Sequence, residues 1–428
     1  MIPVSNQPMI RFGSTGFFLL MAASAWANRP PVREHAVQVT ENLYRLNGNF
    51  LKSGNLGGGS DLPDPSPPFV NARGEVEIYG TADHFLRYAN WKEFLTGGVA
   101  ESVPLSLRDS AGIRITEQGQ IPWDLRKYLW RTPGHPDLEI LVGGSMSATH
   151  GRRLPKWPDD NITRRIFIFR KNNSGDWIRD PAPIVGDASS GWMGHSYGGN
   201  FFQLGQLNPD LIDTGLPNPV YFFYERVTEN AQAPSKTEIF ARKLLPASAR
   251  ELFGPEIKIL GVGKPPFPST HRTIGGYLVE GPRPVEMSIQ GKLFFIIGFS
   301  SGDFCTDSYR MNYAWSKNVE GPYHPSLDHN QKDLIDFGSD LKSSLGLSWV
   351  GRPAIFLGKN GKYEVLFHAV LKSILPNHDY RRWPEPGGYD LGDFFRSTYK
   401  SSISTRLNED GSPDIQLDLG RKLPPLRR

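Results

Sequence analysis

The chain has 428 residues, of which 38% are hydrophobic and 21% charged, and a net charge of +4 from 48 basic and 44 acidic residues. That composition excludes an intrinsically disordered chain and leaves enough length for a sizeable core. So small a surplus of positive charge, with no basic stripe, argues against a nucleic-acid partner.

Arg11 precedes a mostly apolar run from Phe12 to Ala25, with small residues at Ala23-Ser24-Ala25 and Ala25-Trp26-Ala27. A charged start, a short apolar segment and an A-x-A site make up an export signal. Residues 1–27 are therefore read as a signal peptide, with Asn28 opening a mature chain that is secreted or periplasmic. Arg29-Pro30-Pro31 stops any helix at that point. No apolar stretch is long enough to span a bilayer, so the mature form is expected to have no membrane partner. Residues 28–60 are read as an N-terminal extension.

Beyond it one pattern recurs: a polar turn runs into a strand of alternating or continuous apolar residues. The strands are Val76 to Tyr79, Leu138 to Val142, Val220 to Tyr224, Leu293 to Phe299 and Tyr363 to His368. A second strand follows each: His84 to Trp91, Arg165 to Trp177, Glu238 to Leu244, Met311 to Tyr323 and Ser401 to Pro413. Five units at this spacing predict an all-β fold, a five-bladed β-propeller over residues 61–420, with a basic tail at 421–428. Separate β-sandwich domains are the alternative. Runs such as Leu293 to Ile297 suit blades buried on both faces. Helix is scarce, with at most a short surface helix between Leu334 and Leu345. The single cysteine, Cys305, rules out a disulfide framework and a multi-thiolate zinc site, and is read as a small buried hydrophobe.

Residues that open the blades of a propeller face one another across its channel. Carboxylates there supply what glycosidic hydrolysis needs, one as acid and one as base. Asp64 stands in Asp64-Pro65-Ser66, Asn208 and Asp210 in Asn208-Pro209-Asp210, and Glu280 in Glu280-Gly281-Pro282. In each, proline fixes the local backbone. Gly194 to Asn200 is a glycine-rich loop that either rims the pocket or merely connects two blades. Trp123, Trp192 and Trp349 are read as core, with stacking on a sugar face as the alternative.

Val279-Glu280-Gly281-Pro282, the strand Phe294 to Ser301, Asp307-Ser308-Tyr309, Ala314 to Lys317 and Glu320 to Tyr323 resemble the fourth blade of glycoside hydrolase family 43. Asp64-Pro65-Ser66 with Tyr79-Gly80-Thr81, and Tyr88 to Trp91, are similar to its first blade. Phe367-His368-Ala369 and Asp410 to Pro413 are similar to its fifth. The resemblance implies inverting hydrolysis of arabinosides, xylosides or related glycosides in an oligo- or polysaccharide. It implies Asp64 as general base and Glu280 as general acid.

The family's third carboxylate, which tunes the acid, matches Asn208, an amide without charge; Asp210, on the same strand face, is the substitute. The family's blade-five Gly-His unit, whose histidine helps hold a hydrated cation, reads Gly351-Arg352 here. Arg352 brings a fixed charge that replaces the cation or pairs with a carboxylate. Arg352 and His368, an interior strand histidine, are assigned to substrate binding. No cofactor is required on this reading, no metal ligand is assigned, and a structural calcium is less expected than in the family at large. The departure at Asn208 leaves a second reading open: a catalytically impaired propeller that binds carbohydrate.

Overall fold

The computed structural model describes residues 32–46, 62, 64–82, 84–116, 118, 120–147, 165–185, 198–206, 210–230, 233–245, 249–261, 276–277, 279–302, 308–327, 334–371 and 396–421. The signal peptide, Asn208, Cys305, Trp192 and all but the first residue of the basic tail lie outside them.

The described strands build five sheets. At the heart of each is the strand pair expected from the repeat: Val76–Ile78 with His84–Tyr88, Leu138–Ser147 with Arg165–Lys171, Val220–Asn230 with Ala233–Leu244, Lys292–Ser301 with Arg310–Ser316, and Tyr363–Leu371 with Ser397–Leu407. Inside each pair lies one further antiparallel strand: Phe69–Val70, Gln120–Arg131, Gly199–Gln203, Val279–Ile289 and Leu347–Leu357. These are the inner strands of blades one to five.

The hydrophobic cores establish the ring. Side chains alternate across a strand, so neighbours in one continuous apolar run serve opposite faces. Phe222 joins Tyr128 and Ile140 of blade two, whereas Phe223 joins Phe295 and Ile297 of blade four. Ile296 turns the other way, to Val365 and Phe367 of blade five. Blade five meets blade one through Ala354, Phe356, Ile78 and Leu86. Blade one meets blade two through Tyr79, Phe85, Leu141 and Phe167. Five clusters fill five seams, and the chain is an all-β, five-bladed propeller.

Two boundaries differ from those read in the sequence. The inner strand of blade three is Gly199–Gln203, not the segment around Asn208 and Asp210. Leu211–Asp213 instead pairs in parallel with Gln120–Arg131, where Ile212 buries itself in the seam between blades two and three. Small residues suit the narrow inner position, since a Cβ on Gly199 would lie 2.4 Å from the Phe222 ring. The second difference is that the propeller starts before Asp61. Val32–His35 pairs with Val99–Pro104 of blade one, and Leu43–Arg45 pairs with Ser397–Leu407 of blade five. Outer strands present unpaired backbone groups, and these segments satisfy them.

Helix is confined to Trp91–Leu95 and Ser339–Leu345 among the described residues. The second is the expected short helix. The first cuts short the strand read as far as Trp91, because Asn90 caps it by accepting from the Glu93 amide at 3.0 Å. No helix among the described residues is long and apolar enough to cross a membrane.

Candidate active site

Three inner strands break register at the end that faces the site. Gln120–Arg131 carries an extra residue against Val142/Gly144, Val279–Ile289 carries one at Gly281-Pro282, and Leu347–Leu357 shifts on both sides of Gly351. Each shift opens on a residue with positive φ: Asp124 at 54°, Gly281 at 66°, Trp349 at 52° and Arg352 at 56°. Asp64, ahead of blade one, has φ 55°. Bulges of this kind re-aim side chains, and left-handed backbone at non-glycine residues is a cost retained mainly at functional sites. Gly281 meets both demands on a glycine: beyond its φ, a Cβ there would lie 2.3 Å from the Arg352 guanidinium.

The aim is common to all of them. Arg352 is buried at the centre, within 3.5 Å of Asp64 Oδ1 through Nε, 3.4 Å of Asp124 Oδ2 and 3.6 Å of Glu225 Oε2 through Nη1, and 3.4 Å of Glu280 Oε2 through Nη2. Four blades thus deliver a carboxylate to a guanidinium from the fifth. Arg283 bonds Asp124 and donates to the Asp64 carbonyl at 3.2 Å, and Arg396 lies 3.6 Å from Asp64 Oδ1. Thr81 donates to Asp64 Oδ2 at 2.6 Å and accepts from the Asp124 amide at 2.9 Å. His368 Nδ1 accepts from the Asp64 amide at 3.0 Å, and its ring stacks on Tyr309, whose hydroxyl donates to Glu280 Oε1.

The carboxylates do not share one protonation state. Burial raises the Asp64 carboxyl, but Arg396 and Arg352 outweigh it and hold the group well below the usual range. Burial raises Glu280, helped by the Asp64 charge and opposed by Arg352 and Tyr309. Burial pushes Glu225 up to about 8 against the pull of Arg352, with Glu280 adding to the rise. Burial and the Arg396 charge lower His368 to about 4, so it is neutral near pH 7. Asp64, Asp124, Glu225 and Glu280 face Arg283, Arg352 and Arg396. With its carboxyl raised to about 8, Glu225 keeps its proton near neutrality.

Of the site residues read from the sequence, Asp64, Glu280, Arg352 and His368 come together here. Arg352 and His368 sit behind the carboxylates, at 1% and 0% exposure, so they act on Asp64 and Glu280. Asp210 is one step removed: Arg126 bonds it through Nε at 3.0 Å and Nη2 at 2.9 Å, and burial pushes its carboxyl up to about 6 against that pairing. Besides Glu225, blade three presents Asn200 on its inner strand, whose Oδ1 accepts from Arg126 at 3.0 Å and from Arg283 at 3.1 Å.

Sequence reasoning missed Asp124, Glu225, Arg283 and Arg396. Glu225 had a signal, being an acid directly after the apolar run Val220 to Tyr224. The glycine-rich loop does reach the site at its end, where a Cβ on Gly198 would lie 2.5 Å from Asp124 Oδ2. Arg352 holds the position between the carboxylates, and no group of three His, Cys, Asp or Glu converges as metal ligands would among the described residues.

No family model matches this sequence, and no curated protein matches it. Solved structures do. A thermostable family-43 glycoside hydrolase superposes with a TM-score of 0.53 at 13% identity, over 87% of this chain and 97% of that one. An endo-1,4-β-xylanase from Bacteroides thetaiotaomicron VPI-5482 gives 0.48 at 15% identity, over 84% and 95% of the two chains. An endo-arabinase from the same organism gives 0.46 at 15%, over 82% and 96%. With five seams closed around one centre, and with nearly the whole of that first structure covered, this chain has the propeller fold of a family-43 glycoside hydrolase.

Proposed function

We propose that the protein is a glycosidase of the family-43 type, which hydrolyses arabinosides, xylosides or related glycosides with inversion. Asp64 is the general base that activates water, and Glu280 is the general acid that protonates the leaving oxygen. One observation carries this reading: two carboxylates share the Nε/Nη2 edge of Arg352, yet one is held ionised while the other is pushed toward its protonated form. Carboxyl groups driven apart in this way divide the acid and base roles. Their shared guanidinium edge keeps them no more than about 9 Å apart, within reach of one glycosidic bond and one water. Glu280 is also the carboxylate of the four that reaches the surface, at 8% exposure against 0% for Asp64.

The test is hydrolysis of 4-nitrophenyl α-L-arabinofuranoside, β-D-xyloside and β-D-galactoside, with the anomer of the first product read by NMR. Asp64→Asn is expected to lower kcat by about 10²- to 10⁴-fold with its fold intact. Full activity in that variant, or a product of retained configuration, sinks the assignment. Tyr309→Phe removes a donor to the Glu280 anion, so the alkaline pKa of kcat/KM is expected to rise. A pH–rate profile that stays put or moves down would show that this hydroxyl does not act on the acid.

Asn200 favours a second reading, carbohydrate binding without turnover, because an amide stands where blade three faces the cluster. Calorimetric binding of an arabino- or xylo-oligosaccharide with no release of product would select it.

A further inference from the structure

Asp64 is the base of the reading above, yet solvent does not reach it, since the residue is 0% exposed. Its Oδ1 faces Arg352 Nε at 3.5 Å, Arg396 Nη1 at 3.6 Å and His368 Nδ1 at 3.0 Å, and all three of those side chains are buried. Its Oδ2 accepts from the Thr81 hydroxyl at 2.6 Å. Of the side chains that touch this carboxylate among the described residues, Thr81 alone is partly exposed.

Thr81 lies in the turn between Val76–Ile78 and His84–Tyr88, and blade two holds that turn in place. The Gly80 carbonyl accepts from the Leu125 amide at 3.1 Å, and Thr81 Oγ1 accepts from the Asp124 amide at 2.9 Å. An amide N–H can only donate, so the Thr81 proton is committed to Asp64. A hydroxyl oxygen has two lone pairs, and the second is left to accept from a donor on the solvent side.

We propose that Thr81 is a further catalytic residue, whose hydroxyl takes a proton from the attacking water while passing its own to Asp64 Oδ2. The inference rests on the reading of Asp64 as general base. As the water oxygen bonds to the anomeric carbon, one water O–H bond breaks and that proton joins Thr81 Oγ1. The Thr81 O–H bond breaks in the same step and its proton joins Asp64. The threonine ends as it began, one proton has reached the base, and the leaving oxygen takes its proton from Glu280. The two transfers are concerted, because a free threonine alkoxide is not accessible near neutral pH.

The experiment uses 2,4-dinitrophenyl α-L-arabinofuranoside and β-D-xyloside with the native protein, Thr81→Val, Thr81→Ser and Asp64→Asn. A leaving group that departs as a stable anion takes the Glu280 proton out of the step, so the protons in flight are those set moving by the water. Rates in mixtures of light and heavy water then count them. Two transferred protons bow the plot of kcat against deuterium fraction, whereas one leaves it straight. The native protein is expected to give a bowed plot. Thr81→Val is expected to lower kcat by about 10²-fold, and Thr81→Ser, which keeps the hydroxyl, to recover most of that loss. A threonine that merely braced the turn would leave the native plot straight. A straight or flat native plot overturns the proposal, as does native kcat in Thr81→Val. If Thr81→Val does not fold, the plot for the native protein decides the matter alone. Asp64→Asn separates the two levels: native turnover there defeats the general-base reading itself. An inactive Asp64→Asn beside a fully active Thr81→Val defeats only the role given to Thr81.

Discussion

Replacing Glu280 with glutamine is expected to lower kcat on 4-nitrophenyl glycosides by about 10²- to 10⁴-fold, with the melting temperature close to native. The fold should tolerate the change because the amide oxygen can still accept from the Tyr309 hydroxyl. What is lost is the proton. A glutamine cannot hand one to the departing oxygen, so the deficit must depend on how much the leaving group needs it. With 2,4-dinitrophenyl glycosides, whose leaving group departs as a stable anion, the deficit is expected to shrink toward tenfold. A deficit equal for both leaving groups would mean that Glu280 serves binding or orientation and that the acid lies elsewhere.

The second large effect concerns stability. Arg352→Met is expected to cost about 3–5 kcal/mol of unfolding free energy at pH 8, measured by denaturant titration. One guanidinium at 1% exposure faces Asp64, Asp124, Glu225 and Glu280, so its removal leaves buried negative charge without its partner. The pH dependence follows from the same contacts. Without Arg352 the folded-state carboxyl pKa values rise, so the folded protein takes up protons before the unfolded chain does. Stability then falls as pH increases, and the deficit of the variant narrows as pH is lowered toward 5. In the native protein the two ends of the range oppose each other. Asp64, depressed in the folded state, contributes stability that is present above its unfolded value and lost as pH falls toward the folded one. Glu225, raised to about 8, gives up stability as pH climbs from its unfolded value through 8. Equal stability of Arg352→Met and native protein at pH 8 would show that the cluster does not depend on this cation.

The propeller was legible because its blades are buried on both faces. That demand writes the same apolar run five times, and each predicted pair of strands is present. The boundaries that failed did so for local reasons. Leu211–Asp213 reads as a strand and is one, but its partner lies in blade two, and pairing in parallel leaves no mark on the sequence itself. Val32–His35 and Leu43–Arg45 are too short to announce themselves, and their partners are remote.

At the site, Asp64 and Glu280 could be picked out because each precedes a proline or Gly-Pro at a blade opening. Asp124 could not, since a bulge shifts the parity by which a strand residue is assigned to one face. Arg283 and Arg396 were hidden for a different reason. Arg283, between two prolines, and Arg396, after two phenylalanines, gain their meaning only from the carboxylates that the fold sets against them.

The strands that close the ring have a consequence for how the molecule is made. Arg45 pairs with Tyr399 and Leu43 with Ser401, so a strand made early in synthesis finds its place beside one made more than 350 residues later. At ordinary synthesis rates that wait is on the order of tens of seconds. Throughout it the nascent chain can stack blades one to four in turn, while the seam between blades five and one stays open. Closure then joins Leu43–Arg45 to Ser397–Leu407, and it brings Arg352, on blade five, to carboxylates from the other four. The carboxylates of the first four blades meet the Arg352 guanidinium only when the final blade arrives.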